Sequence, residues 1–122
     1  MKIDSSLMFD PVRVGAMAAQ LEEVGFDGAY TFEGQSDPFI SVAAAAMHTQ
    51  KMELMTSIAV AFARNPMSLA YLGNDLQNLS GGRFILGLSG TGIGDDQGNF
   101  CGFQHGSRFI GYAIVRDDRV DP

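Results

Sequence analysis

The stretch from Glu53-Leu54-Met55-Thr56-Ser57-Ile58-Ala59-Val60, through Asn65-Pro66, to Gly81-Gly82-Arg83-Phe84-Ile85-Leu86-Gly87-Leu88 spells out one unit of chain architecture. Glu53 to Val60 reads as a strand. Asn65-Pro66 opens a helix, because Asn accepts from orphan N–H groups and Pro is preset for the first turn. Met67, Ala70, Leu72, Leu76 and Leu79 are available to face a core. Gly81-Gly82 stops the helix where a left-handed residue is wanted. Arg83 to Leu88 is then a nearly continuous apolar run, as strands buried on both faces require.

Upstream, the same grammar occurs twice. Lys2 to Met8 is a short strand, Asp10-Pro11 a helix start, and Val14, Met17, Ala18 and Leu21 follow at helical spacing up to Gly25. Gly28 to Phe32 is a second strand. Asp37-Pro38 opens a second helix through Val42 to Met47. Asp37 and Asn65 read as caps. The order is βαβαβαβ, with about 25 residues between strand starts, and right-handed crossovers make the strands parallel with outer helices. Periodicity leaves two architectures open: the N-terminal half of a (β/α)₈ TIM barrel, and a small doubly wound sheet.

Composition bounds the rest. The 122 residues allow one domain of ordinary size. With 46% apolar and 18% charged residues the chain can build a core. A net charge of −6 and a pI near 4.6 argue against nucleic acid and against an anionic membrane surface as partners. Cys101 alone cannot form an internal disulfide, which fits a cytoplasmic location. No spanning segment and no secretory leader is expected. After Leu88 the character changes: residues 89–122 hold seven of the fifteen glycines and show no helical period, with one strand expected within Arg108–Val115. The chain therefore divides into an αβ part, 1–88, and an atypical Gly-rich tail, 89–122.

Chemistry-bearing residues are few. Glu33 falls just past the second strand, at the C-terminal edge where α/β folds carry their sites. A carboxylate there can orient a ligand or shuttle a proton, and the alternative is a solvated loop acid. Arg64 follows the third strand on the same edge and suits an anionic cofactor group, with a surface arginine the alternative. Gly90-Thr91-Gly92-Ile93-Gly94 lacks the dinucleotide fingerprint and the P-loop Gly-Lys-Ser/Thr. His48 is expected near a helix end. No cluster has metal-ligand spacing, so no metal is expected.

Tyr30-Thr31-Phe32-Glu33, Asp37-Pro38-Phe39, Met55-Thr56-Ser57-Ile58-Ala59-Val60, Ala63-Arg64-Asn65-Pro66 and above all Leu79 to Leu88 resemble the N-terminal part of the bacterial-luciferase-like oxidoreductases. Within that family the similarity is to the branch using the deazaflavin coenzyme F420 in place of flavin mononucleotide (FMN). The resemblance covers residues 1–88. It implies the first four strands and three helices of a barrel that typically needs ~250 residues. It also implies a cis peptide bond at Ser57 and Ile58, at the end of the third strand, that bulges against the cofactor ring, with Ser57, Ile58 and Ala59 in the cofactor site. Glu33 then faces cofactor or substrate as the catalytic residue, and Arg64 and Thr91 join the cofactor site. The implied chemistry is hydride transfer between F420, or FMN, and a small organic substrate, with oxygen activation in the monooxygenase relatives. Ser89 departs from the family pattern, and the later strands are missing. The expected product is a truncated enzyme, weak or inactive alone, that self-associates or joins a full-length paralogue. Two other readings stand beside it: a non-catalytic half-barrel association module, and a flavodoxin-like FMN-binding domain using Gly90 to Gly94.

Overall fold

The computed structural model describes residues 1–7, 10–89, 99–100, 103–104 and 112–115. Strand β1 is Asp4–Ser6, helix α1 Val14–Val24, β2 Gly28–Thr31, α2 Pro38–His48, β3 Glu53–Thr56, β4 Ala59–Val60, α3 Pro66–Ser80 and β5 Phe84–Ser89. A 3₁₀ turn, Ala61–Ala63, joins β4 to α3. Three short strands follow: β6 Asn99–Phe100, β7 Phe103–Gln104 and β8 Tyr112–Val115.

The helix punctuation works as the sequence says. Asp37 accepts from the Phe39 N–H at 2.8 Å, and Asn65 from the Met67 N–H at 2.9 Å. Gly25 and Gly81 close α1 and α3 with φ of 110° and 65°, conformations in which a Cβ would be strained. The first helix starts later than Asp10-Pro11 suggests. Asp10 instead builds a turn, accepting from Val12 N–H through its side chain and from Arg13 and Val14 N–H through its carbonyl.

The main sheet runs β1-β2-β3-β5 in sequential order, all parallel. Its helix-side face supplies Leu7, Ala29, Leu54 and Phe84 to one core, and the helices supply Val14, Ala18, Phe39, Val42, Ala45, Leu69 and Leu76. The opposite face carries Tyr30, Met55 and Ile85, each only half-buried. All three helices thus cover one face. A doubly wound sheet carries helices on both faces and reverses its strand order, so that architecture, and with it the flavodoxin-like reading, is excluded. The observed arrangement is that of consecutive barrel strands.

Two expectations need correction. Helix α3 buries Leu69, Leu76 and Ser80, with Leu72 partly buried, whereas Met67, Ala70 and Leu79 are exposed. The stripe at 69, 72, 76 and 80 is a coherent helical face that keeps Leu72 and Leu76 of the expected set and replaces the others with Leu69 and Ser80. The third strand is also not continuous. Between Met55↔Ile85 and Ala59↔Leu88 the chain advances four residues against three on β5, so one extra residue bulges out between β3 and β4. In the tail, β8 pairs antiparallel with β5 over Leu86–Ser89. This lies within the segment expected to hold a strand, but reverses the parallel sense of the sheet. Among the described residues no helix is long and apolar enough to cross a membrane.

Candidate cofactor-binding edge

The C-terminal ends of β2, β3 and β5 converge on the bulge. The peptide bond between Ser57 and Ile58 is cis, where the resemblance places one. Ser57 is exposed and Ile58 half-buried, so this hydroxyl and this apolar side chain form open surface at the strand ends. Ala59 is different. It is wholly buried in the helix-side core, so it supports the bulge from behind and offers no side-chain surface to a ligand.

Backbone and side-chain bonds fix this geometry. Ser57 N–H donates to Thr31 C=O at 2.7 Å, and Glu33 N–H to Ile58 C=O at 3.1 Å, so β2 remains stitched to the bulge. On the other side the Thr56 hydroxyl accepts from Gly87 N–H at 2.9 Å and donates to Gly87 C=O at 2.8 Å. One side chain thereby satisfies both peptide groups that the register shift takes out of the ladder. A Cβ on Gly87 would collide with the Thr56 carbonyl oxygen, so glycine is required there by close backbone approach. Neither residue stands out in the sequence as a candidate. A glycine inside an apolar strand run is the available signal, since it marks a bulge or a close approach.

Glu33 lies beside the bulge. Its Oε2 accepts from Val60 N–H and from Arg64 Nη1 at 2.7 Å. Arg64 Nη1 also donates to Val60 C=O at 2.9 Å, Nη2 reaches Asp37 Oδ2 at 3.4 Å, and the guanidinium sits 4.8 Å from the centre of the Phe39 ring. Arg64 is therefore held within the protein by two carboxylates, a carbonyl and an aromatic face, and is not a free anion-binding group. Thr91 and the loop Gly90 to Gly94 lie outside the described residues. His48 ends α2, with Nδ1 2.8 Å from Ala44 C=O. No group of metal-ligating side chains occurs among the described residues.

The opposite edge, at the strand N-termini, is built for stability. Arg83 donates to Ser80 C=O at 2.6 Å, to Thr49 Oγ1 and Met52 C=O at 2.8 Å each, to Thr49 C=O at 3.0 Å and to Ala46 C=O at 3.2 Å. These acceptors include carbonyls at the C-terminal end of α2, which have no intrahelical partner and favour a cation. Burial lowers the Arg83 pKa, partly opposed by the Glu22 charge. Glu22 accepts from the N–H groups of Gln50, Lys51 and Met52, each within 3.1 Å. Burial alone would raise the Glu22 pKa, but those three donors and Arg83 outweigh it and the net shift is downward. An open groove beside this cluster, lined by Met47, Lys51, Asn78, Leu79 and Arg83, faces away from the bulge. The Ser80-Gly81-Gly82-Arg83-Phe84 run, part of the most distinctive stretch in the sequence, is thus a structural lock remote from the candidate site.

A family model for luciferase-like monooxygenases matches residues 3–109. The chain belongs to this family. The match takes in all five parallel strands and reaches into the tail. The uncharacterized protein Rv1360 of Mycobacterium tuberculosis is 52% identical over 93 residues, which are 76% of this chain and 27% of that protein. A putative coenzyme F420-dependent oxidoreductase of the same organism, Rv3520c, is 37% identical over 83 residues, 67% of this chain and 24% of that protein. The chain thus spans about a quarter of the length of these curated relatives. Among solved structures, monooxygenase RslO1 from Streptomyces bottropensis superposes with a TM-score of 0.67 at 25% identity, covering 80% of this chain and 35% of that one. The coenzyme F420-dependent tetrahydromethanopterin reductase from Methanopyrus kandleri superposes at 0.65 with 24% identity, covering 71% and 26%, a likeness of fold. The luciferase-like chain is accordingly a partial TIM barrel, its N-terminal strands and helices in place.

Proposed function

We propose that this luciferase-like chain carries the ring-binding wall of a site for coenzyme F420, with FMN as the alternative, in an oxidoreductase acting on a small organic substrate. The observation that carries the proposal is the bulge at the C-terminal edge. It turns Ser57 and Ile58 outward at the one end of the parallel sheet where barrel enzymes place their chemistry. The similarity to the putative coenzyme F420-dependent oxidoreductase favours F420, and the structural likeness to a monooxygenase keeps FMN in view.

The residues present fit a flat, largely apolar ring. Ile58 offers an apolar contact and Ser57 a hydroxyl that can hydrogen-bond a ring heteroatom or carbonyl. Thr56 and Gly87 hold the bulge to β5, and Ala59 backs it from the core. The bound coenzyme supplies the hydride chemistry. The chain supplies placement of the ring, and on this reading it presents the ring to substrate bound by segments beyond the bulge.

Arg64 is committed inside the protein, so an anionic tail of the cofactor must be met elsewhere, and Thr91 is proposed for that side of the site. Equilibrium titration of the chain with F420 and with FMN, followed by cofactor fluorescence, tests the proposal. Saturable F420 binding that exceeds FMN binding is expected, and it should be lost when Ser57 is replaced by a bulky residue. Binding of neither cofactor would overturn the reading, and preference for FMN would overturn the deazaflavin assignment.

A further inference from the structure

Resting on the reading that the bulge meets the cofactor ring, we propose that Glu33 and Arg64 act together as a clamp that sets the shape of the bulge. Glu33 is then a positioning residue and not the proton-transfer group its location suggests.

The geometry is specific. Glu33 holds the bulge at two points, its N–H donating to Ile58 C=O and its carboxylate accepting from Val60 N–H. Arg64 holds a third, donating to Val60 C=O, and the same Nη1 donates to the Glu33 carboxylate oxygen that binds Val60. Both peptide groups of Val60 and the carbonyl of Ile58 are thereby fixed by two residues, on either side of buried Ala59. Arg64 is anchored in turn. Asp37 contributes one carboxylate oxygen to Arg64 and the other to the Phe39 N–H that caps α2, and the Phe39 ring lies under the guanidinium. The clamp thus connects the start of α2 to the bulge.

Burial decides that this pair is more than a surface contact. The Arg64 and Glu33 side chains are only 14% and 23% exposed. An exposed pair contributes little because water screens it and the side chains must be immobilised. Here packing already immobilises both; removing Arg64 takes the cation away from the partly buried Glu33 carboxylate, and removing Glu33 leaves Arg64 only the longer contact to Asp37. A carboxylate that accepts from a backbone N–H and a guanidinium through one oxygen is also poorly placed to leave for a ligand.

The test compares Glu33→Gln, Arg64→Gln, Arg64→Lys and the Glu33→Gln/Arg64→Gln double variant in the full chain. Hydrogen exchange of the Val60 amide is one readout, with Leu54 in β3 as the reference for global unfolding. Titration with F420, recording affinity and the emission spectrum of bound coenzyme, is the other. The clamp predicts that each Gln variant speeds Val60 exchange by about tenfold relative to Leu54, the equivalent of one charged hydrogen bond. The double variant should be no faster than either single. F420 affinity and bound-state emission should change alike in all three, and Arg64→Lys should recover part of each effect.

Unchanged Val60 exchange in both single variants overturns the clamp. So does an F420 response to Glu33→Gln that Arg64→Gln fails to reproduce, because Glu33 would then act on the ligand directly. Absence of F420 binding by the unaltered chain overturns the cofactor reading alone, and Val60 exchange then decides the clamp. If Glu33→Gln fails to fold, Arg64→Lys, which keeps the charge, decides by the same exchange ratio.

Discussion

Replacing Gly87 with alanine tests the architecture of the bulge most sharply. The added Cβ would collide with the carbonyl oxygen of Thr56, a backbone atom that cannot swing aside. β5 must move away from β3, and this movement breaks the two hydrogen bonds through the Thr56 hydroxyl, at 2.8 and 2.9 Å. Overpacking of a tight site costs about 1–3 kcal/mol, and two lost hydrogen bonds about 0.5–1.5 kcal/mol each. Alanine returns about 0.5–1 kcal/mol by reducing backbone freedom in the unfolded chain. The net expectation is a destabilisation of about 3 kcal/mol, or a fall in Tm of roughly 10 °C for a domain of this size.

Gly73 supplies the control. It lies within α3, and a Cβ added there would meet nothing within 4 Å. Gly73→Ala should therefore stabilise by about 0.5–1 kcal/mol. Thermal and urea unfolding of the two variants, followed by circular dichroism, should give shifts of opposite sign. A Gly87→Ala protein as stable as the unaltered chain would refute the close approach of β3 and β5, and with it the geometry assigned to the bulge.

Three further outcomes follow from the same structure. Thr56→Val keeps the shape but removes the hydroxyl, leaving both Gly87 peptide groups without it; urea unfolding should show a loss of about 2–4 kcal/mol. Arg83→Lys keeps the charge but cannot reproduce the planar five-bond arrangement over Ala46, Thr49, Met52 and Ser80. The same assay should show a loss of about 2–4 kcal/mol. Glu22, whose folded pKa is lowered, contributes stability that is present above its unfolded pKa and is lost as pH falls through the folded one. Unfolding free energies on the acid side of neutrality should therefore fall less steeply in Glu22→Gln than in the unaltered chain, and parallel slopes would contradict the shift.

Apart from the start of α1, where Asp10 builds a turn, the helix boundaries were legible because local chemistry decides them. Asp37 and Asn65 cap, Pro38 and Pro66 follow, and Gly25 and Gly81 terminate, each through bonds within a few residues. The run of apolar strands was legible for the same reason. Periodicity left open the choice between a barrel segment and a doubly wound sheet, because it depends on which face of the sheet the helices cover and apolar runs carry no face; the family resemblance made that choice, for the barrel. The break in the third strand is invisible to residue pattern and was legible only through the resemblance, which places a cis peptide bond at Ser57 and Ile58. Glu53 to Val60 has the composition of one strand, and the register shift from Met55↔Ile85 to Ala59↔Leu88 shows the extra residue. In α3 the apolar residues outnumber the buried positions, so Met67 and Leu79 were as eligible as Leu69 by type, and the packing against β5 and α2 chose among them.

At the candidate site, position was legible and role was not. Glu33 and Arg64 were placed on the correct edge by their distance past a strand. Their engagement with each other and with Val60 arises from elements about 30 residues apart in sequence. Ala59 was grouped with Ser57 and Ile58 by adjacency, yet the bulge sends it into the core. The distinctive Ser80 to Phe84 run proved to be a fold lock, where Arg83 gathers carbonyls from the end of α2 and the start of β3. In this chain, a strong family signature marks stability at the strand N-termini and the proposed chemistry lies at the other end.

The bulge at Ser57 and Ile58 is proposed as the wall against which a flavin-type ring lies. Hydrogen exchange mapped residue by residue, with and without saturating F420, tests this most directly. The expected result is slowed exchange confined to the strand C-terminal edge, at residues 57–60 and around Glu33, with no change near Arg83. Protection centred on the groove beside Met47 and Lys51, or no protection at residues 57–60, would contradict it.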